Sequence, residues 1–263
     1  MPNSPLPLSP PPLAPPSPDD PIGVLLSGGL DSAILLGWLL ELGHWIQPFY
    51  VRCGLTWEDA EQQAAADFLT AVASPRLQPL VTLDMPLADL YGDHWSTTGR
   101  QIPDFRSPDE AVFLPGRNPL LLVKACLWCQ LHSIRRLALA PLGSNPFADA
   151  SDDFFRPFEQ AMSQAMSRPI EILRPFAALH KTDVMQLGRN LPLERTLSCI
   201  APRVGTHGPH GLHAARGTQV LHCGECNKCA ERQAAFRDAR LADPTRYANS
   251  PASVDTHGDP GHD

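Results

Sequence analysis

From Ile22 to about Asn190 the chain repeats one pattern, a short apolar run of strand length followed by a longer stretch with helical spacing. The first runs are Ile22–Leu26, Trp45–Val51 and Leu80–Leu83, separated by helical patterns over about Asp31–Leu42 and Trp57–Val72. A helix over Asn118–Arg135, a strand in "RRLALAPLG" from Arg135, a helix near Phe154–Met166, a strand in "IEILRPF" from Ile170 and a helix over about Lys181–Asn190 continue it. Runs that are apolar throughout suit strands buried on both faces, and helical crossovers bring successive strands back parallel. The expected class is α/β, a Rossmann-like parallel sheet with flanking helices over residues 22–196.

Beyond it, residues 197–248 are rich in Gly, His and Cys and are expected to form a small zinc-binding C-terminal region. The opening 21 residues, "MPNSPLPLSPPPLAPPSPDDP", are dominated by proline, and the polar end from 249 to 263 has no apolar period; both are expected to be disordered tails. A chain of 263 residues, 43% hydrophobic, can bury a core of the size such a sheet needs. No apolar run nears the ~20 residues needed to cross a bilayer, and the start lacks a signal-peptide pattern, so a cytoplasmic protein with no membrane partner is expected. The net charge of −7 argues against a surface that coats nucleic acid and favours a small-molecule partner.

The first strand runs directly into Ser27-Gly28-Gly29-Leu30-Asp31-Ser32 and then into a helix. Glycines at a strand-to-helix turn let the backbone approach a ligand closely, while turn amides and the helix N-terminus present N–H donors and a positive partial charge. That is a cradle for an anion. No Gly-Lys-Ser/Thr follows, so it is not a Walker loop.

Seven cysteines, three of them in the run "CGECNKC", fit a metal site in a reducing compartment better than a disulfide framework. Cys223, Cys226 and Cys229 are spaced as a knuckle that turns successive thiolates inward, and Cys199 is a natural fourth ligand. A structural Zn²⁺ site is expected, with an iron–sulfur cluster as the rival reading. Cys126 and Cys129 also form a C-x-x-C, but inside an apolar helix where core packing is expected; Cys53 is read as ending a strand. His207, His210 and His213 read as solvated loop histidines, with His222, beside Cys223, the one best placed for another role.

The loop Ser27–Ser32 resembles the pyrophosphate loop of the N-type ATP pyrophosphatases, whose fold is adenine nucleotide alpha hydrolase-like. With "LPGRNPLLLVKA" (Leu114–Ala125), "LHKTDVMQLG" (Leu179–Gly188), the late cysteines and "LADPTRYA" at the end, the chain resembles the 7-cyano-7-deazaguanine synthase (ExsB-like) family of queuosine biosynthesis. The resemblance implies an ATP-dependent ligase that adenylates a deazapurine carboxylate and uses ammonia to give the amide and then the nitrile, with Mg²⁺ beside ATP as cosubstrate. It implies that Leu26, Ser27, Gly28, Gly29, Leu30, Asp31, Ser32 and Asn118 bind ATP and its pyrophosphate, that Asp31, Lys181 and Arg117 are catalytic, and that the protein is a homodimer. Other readings of the same loop are an enzyme that modifies a tRNA base and a nucleotide-binding regulatory protein without turnover.

The chain also departs from the family. Where members carry Tyr-Gly-Gln-x-His, it has Cys53-Gly54-Leu55-Thr56-Trp57, and of a second segment only Asp149-Ala150-Ser151 and Arg156-Pro157 remain, preceded by Phe154 and Phe155. Leu55, Trp57, Phe154 and Phe155 are therefore expected to line an acceptor pocket more apolar than the family's, and the acid activated is expected to be altered or less narrowly selected. Asp149, Asp152 and Asp153 read equally as a solvated acidic turn or as site residues.

Overall fold

The computed structural model describes residues 9–205 and 219–249. Strand β1 (Ile22–Leu25) is followed by helix α1 (Leu30–Glu41), β2 (Ile46–Arg52), α2 (Glu58–Ala71) and β3 (Val81–Asp84). Two single-turn helices, α3 (Ala88–Tyr91) and α4 (Trp95–Thr98), precede α5 (Arg117–Leu131), β4 (Arg136–Ala138), α6 (Asp152–Ala165), β5 (Glu171–Leu173) and α7 (Lys181–Leu187). A two-stranded ribbon, β6 (Arg203–Gly205) with β7 (Gln219–Leu221), and helix α8 (Asn227–Asp238) complete the described chain. The five long-range strands form one parallel sheet in the order β3-β2-β1-β4-β5, as the alternation of runs implied.

Several elements are shorter than their apolar runs suggested. The strand expected from Arg135 stops at Ala138, three residues before Pro141, and the one from Ile170 stops at Leu173, two residues before Pro175. Helix α5 ends at Leu131, short of Arg135, where Ser133 turns left-handed at φ 62°. Residues 85–98 carry two helical turns that have too little apolar periodicity to be read.

Apolar side chains fill both faces of the sheet. On one, α1, α2, α7 and α8 bury Ile34, Leu35, Phe68, Val184 and Phe236 with Val24 and Ile46. On the other, α5 and α6 bury Leu122, Cys126, Cys129 and Phe155 with Phe49 and Leu137. Cys126 and Cys129 are thus core side chains, and Cys53 follows directly on β2.

Two expectations about the periphery are corrected. The proline-rich start is not a tail over its whole length: from residue 9 it is placed, Leu13 packs on the core, and Asp20 receives the Arg136 guanidinium at 3.1 Å on its carboxylate and 2.6 Å on its carbonyl. Arg136 is buried in a central strand, and a buried guanidinium needs such a partner. The zinc-binding region expected over 197–248 is also not separate from the sheet, since Ala235, Phe236 and Ala239 of α8 lie in the main core. Residues 1–8, 206–218, which include His207, His210 and His213, and 250–263 lie outside the described residues. Among the described residues no helix is long and apolar enough to cross a membrane.

Candidate active site

The sheet grows outward from β1, to β2 and β3 on one side and to β4 and β5 on the other. The connection after β1 therefore opens at the carboxyl end of the strands, where the chain direction reverses, the place where open α/β sheets bind ligands. Ser27–Ser32 occupies that connection. Gly28 has φ +80°, and a Cβ there would stand 2.6 Å from the Glu61 carbonyl oxygen, so the turn is closed against α2 in a way only glycine permits. Gly29 is the N-cap of α1 and supplies no capping side chain, which leaves the first-turn amides available to an anion. The serines brace the turn: Ser27 N–H donates to Ser32 Oγ at 3.2 Å, the two hydroxyls lie 3.1 Å apart, and Ser32 Oγ donates to the Gly29 carbonyl at 3.2 Å. The Gly28 carbonyl accepts from Leu197 N–H at 2.8 Å, tying the loop to the start of the cysteine-rich segment.

A cavity of about 190 Å³ opens over this loop, lined by Ser27, Gly29, Leu30, Asp31 and Ser32 and by side chains from four further elements. Lys181, at the start of α7, donates to both Asp31 oxygens at 2.7 and 2.8 Å and lies 3.6 Å from Glu231. Burial alone would depress the Lys181 ammonium, but Asp31 and then Glu231 outweigh it and raise it, so the lysine is held charged. Glu231 in turn takes Lys228 at 2.6 Å, and although burial pushes its carboxyl up, Lys228 and Lys181 bring it below the usual range. Arg232 is fully buried and bonds Thr245, Thr196, Ser198 and the Leu193 carbonyl, joining the C-terminal segments to the cavity wall.

Arg117, the first residue of α5, also lines the cavity, and its buried Nε has no hydrogen-bond partner. Glu61 comes from the first turn of α2; its Oε2 accepts from Tyr50 Oη at 3.1 Å, while Tyr50 Oη lies 3.2 Å from the Glu58 carbonyl. Burial, above all, pushes the Glu61 carboxyl up to about 7, against the pull of Arg117, Tyr50 and Trp57. The Glu58 carboxylate bonds the backbone amides of Cys53 and Gly54 and so fixes the turn after β2.

Of the residues singled out in the sequence, the structure gathers Ser27, Gly29, Leu30, Asp31, Ser32, Arg117, Lys181 and Trp57 around this cavity. Leu26 lines a small neighbouring hollow shared with Arg117 and Tyr50. Asn118 turns elsewhere, its backbone N–H on the Asp149 carboxylate and its amide on the Asp149 carbonyl. Leu55 is packed into the cluster that surrounds the cysteines, and Trp57 stacks on Trp95 at 5.5 Å between ring centroids. Phe154 and Phe155 are not among the residues around either opening: Phe155 is core, capped by the Arg174 guanidinium at 4.5 Å, and Phe154 packs against the same cluster. The apolar i, i+1 pair was a helix turning one face to the core. Asp149 holds α5, Asp152 pairs with Arg174 at 2.6 Å, and Asp153 is exposed.

Glu61, Lys228, Glu231 and Arg232 were not read from the sequence. A signal existed for Arg232, which stands three residues after Cys229 and so shares its buried helix face. Glu61 offered none, since an acid in the first turn of a helix is ordinarily a solvated partner of the dipole.

Cys199, Cys223, Cys226 and Cys229 are buried with their sulfurs within 4.8 Å of one another. Cys199–Cys226 and Cys223–Cys229 are 3.9 and 3.8 Å apart; four sulfurs about 2.3 Å from a central ion would stand about 3.8 Å apart in a tetrahedron. Backbone N–H groups of Ala201, Cys223 and Glu225 reach the sulfurs at 3.3 Å, the second-shell donation that steadies thiolate ligands. The donor set fits a structural metal. His222 does not join it: its Nε2 accepts from Ser198 N–H at 3.2 Å, and burial first, then Arg232, pulls the imidazole down to about 3.

Sheet order, loop and cavity together define an α/β protein of the PP-loop, adenine nucleotide alpha hydrolase-like class. Residues 22–240 match the family described as "Queuosine biosynthesis protein QueC", and the chain belongs to that family. It is 28% identical over 219 residues to 7-cyano-7-deazaguanine synthase 1 of Desulfitobacterium hafniense (strain Y51), covering 81% of this chain and 90% of that protein. It is likewise 28% identical over 234 residues to the 7-cyano-7-deazaguanine synthase of Methanosphaerula palustris, covering 85% of this chain and 97% of the relative. Among solved structures, a 4-thiouridine synthetase in complex with RNA and bound ATP is similar with a TM-score of 0.42 and 15% identity, over 66% of this chain and 42% of that one.

Proposed function

We propose that this protein is an ATP-dependent carbon–nitrogen ligase that converts 7-carboxy-7-deazaguanine to its nitrile through the amide, with ammonia as the nitrogen source. The observation that carries the reading is the junction of the uncapped, glycine-turned loop Gly28–Ser32 with the Asp31–Lys181 pair at the carboxyl end of β1. Family membership and the names of the relatives support the same substrate.

A carboxylate is a poor electrophile, and its attack on the α-phosphorus of ATP makes the carbon open to ammonia while pyrophosphate departs. The charge that develops on the leaving pyrophosphate is what the site must stabilise. Loop amides provide preorganised donors, the Ser27 hydroxyl can turn from Ser32 to a phosphate oxygen, and Lys181, which shares Asp31, and Arg117 provide the cations. Arg117 reaches this state with an Nε that has no protein partner, a donor left for a ligand oxygen. Mg²⁺, with Asp31 as its protein ligand, would neutralise part of the phosphate charge. Zn²⁺ in the four-cysteine set would hold the segment from which Lys228, Glu231 and Arg232 reach the cavity. Trp57, buried and stacked on Trp95, gives the cavity wall an apolar backing behind the heterocycle rather than an open stacking face.

The test is pyrophosphate release by the purified protein with the acid, with and without ammonia. Release that depends on the acid, with amide and nitrile appearing once ammonia is added, is expected; release indifferent to the acid would overturn the proposal.

A further inference from the structure

We propose that Glu61 is the general base of the ammonia step, taking the proton from the attacking nitrogen after the acid has been adenylated. The inference rests on the ligase reading above and adds a residue to it.

The charges of the cavity are unequal in availability. Asp31 is held by Lys181, and Glu231 by Lys228 and Lys181, so both carboxylates are already committed to cations. Glu61 lines the same cavity, and among the described residues it has no cation nitrogen within 4.0 Å. It is the carboxylate there that no cation holds, its hydrogen bonds coming from the neutral Tyr50 and Trp57. The acyl carbon of an adenylate is two bonds from the α-phosphorus, so the ammonia step takes place beside the loop that holds the phosphates.

The surroundings of Glu61 suit both of its protonation states. Tyr50 Oη stands between Glu61 Oε2 at 3.1 Å and the Glu58 carbonyl at 3.2 Å, with one proton to give. When Glu61 is ionised, that proton serves the carboxylate. When Glu61 is protonated, the carboxyl O–H donates to Tyr50 Oη and the tyrosine proton turns to the Glu58 carbonyl. Neither state leaves a buried donor without an acceptor, whereas an acid of purely structural role needs only one. The groups that face it are Tyr50 from β2, Trp57 and Glu58 from the start of α2, and Arg117 from α5; burial outweighs the charge of Arg117 and sets the carboxyl at about 7, where a base works best at neutral pH.

The balance is simple. In the first step nitrogen forms a bond to the acyl carbon, the carbon–oxygen bond to AMP breaks, AMP leaves with the electron pair, and Glu61 takes one N–H proton to leave the amide. In the second, the amide oxygen attacks the α-phosphorus of another ATP, pyrophosphate leaves and one N–H proton passes to water; Glu61, having returned its own proton to water, then takes the remaining N–H proton as the carbon–oxygen bond breaks, AMP leaves with the electron pair and the nitrile forms.

The experiment compares wild type and Glu61→Gln in acid-dependent exchange of pyrophosphate into ATP, in amide formation with ammonia, and in hydroxamate formation with hydroxylamine. Hydroxylamine is far less basic, so its nitrogen sheds the proton to water without help. The expected result is a fall of ~10²-fold or more in amide formed relative to exchange, with the hydroxamate-to-exchange ratio within a few-fold of wild type. Plotted against neutral ammonia, wild-type amide formation should fall below about pH 7, and Tyr50→Phe, which removes the donor to ionised Glu61, should move that fall to higher pH. An unchanged amide ratio, an equal fall with both nucleophiles, or a pH limb indifferent to Tyr50→Phe would overturn the role of Glu61. Absence of acid-dependent exchange in wild type would instead overturn the ligase reading, and this inference with it.

Discussion

Gly28 and Gly29 are neighbours in the loop, yet the structure predicts opposite fates for a methyl group at each. At Gly28 the backbone is left-handed, φ +80°, which costs an ordinary residue roughly 1–2 kcal/mol. The added Cβ would also lie 2.6 Å from the Glu61 carbonyl oxygen and 3.3 Å from its carbon, backbone atoms of a helix that cannot swing aside as a side chain can. Overpacking of that kind adds about 1–3 kcal/mol, for a sum of roughly 2–5 kcal/mol. At ~2–4 °C per kcal/mol for a chain of this size, Gly28→Ala should lower Tm by the order of 10 °C. At Gly29 the backbone is extended (φ −79°, ψ 173°), and the nearest atom to a new Cβ is the Ser27 hydroxyl at 3.5 Å. Gly29→Ala should therefore leave Tm within about 3 °C while crowding the phosphate side of the loop. Differential scanning fluorimetry of the two variants beside wild type is the assay. Equal Tm values for wild type and Gly28→Ala, or a larger loss in Gly29→Ala, would refute the reasoning.

Asp31→Asn should keep the fold but abolish pyrophosphate release, since it removes the charge that Lys181 pairs with at 2.7 Å in a partly exposed pair; turnover at the wild-type rate would deny Asp31 that role. Intact protein should carry about one zinc per chain, and Cys226→Ser should lose it together with protease resistance from Cys199 onward, whereas iron with sulfide on elemental analysis would rule out the zinc site. Phe155→Ala should cost about 3–5 kcal/mol of stability in urea unfolding and leave the choice of acid unchanged, because the ring is in the core; a shift in acid preference without loss of stability would put it back in the pocket. The Glu61 carboxyl titrates near 7 in the folded chain against 4.5 in the unfolded one, so the folded state binds the extra proton between those values. Its contribution is complete below pH 4.5 and is lost as pH rises through 7, about 3 kcal/mol in all, and Glu61→Gln should flatten that decline; parallel stability–pH curves for the two proteins would contradict it.

What was legible in the sequence was what is local or periodic. The turn at Ser27–Ser32 could be read because it is one contiguous stretch between β1 and α1, and the gathering of Cys223, Cys226 and Cys229 because a knuckle is a spacing. The sheet could be read because strands buried on both faces leave solid apolar runs, although two of them ended earlier than their runs, at Ala138 and Leu173. What the residue pattern could not show is held together over long separations. Lys181 and Asp31 were named only through the family resemblance, and their contact across 150 residues, like that of the unread Arg232 with Thr196 across 36, is made by the docking of α7 and α8 on the sheet rather than by any local pattern. Phe154 and Phe155 illustrate the converse error: an apolar pair in a segment that differs from the family was assigned to a pocket, when the α6 face on which it sits packs on β-strand side chains and α5. Asp20 looked like the end of a proline tail because its partner, Arg136, lies in a strand whose burial only the folded sheet defines.

The central claim is that the acid attacks the α-phosphorus of ATP in the cavity over the Ser27–Ser32 loop, and isotope transfer tests it directly. The protein would be incubated with ATP, ammonia and 7-carboxy-7-deazaguanine labelled with ¹⁸O in its carboxylate, and the nucleotide and phosphate products weighed by mass spectrometry. Transfer of ¹⁸O into the phosphate of AMP, with unlabelled pyrophosphate, is the expected result. Label in inorganic phosphate alongside ADP, or AMP formed without label, would contradict it.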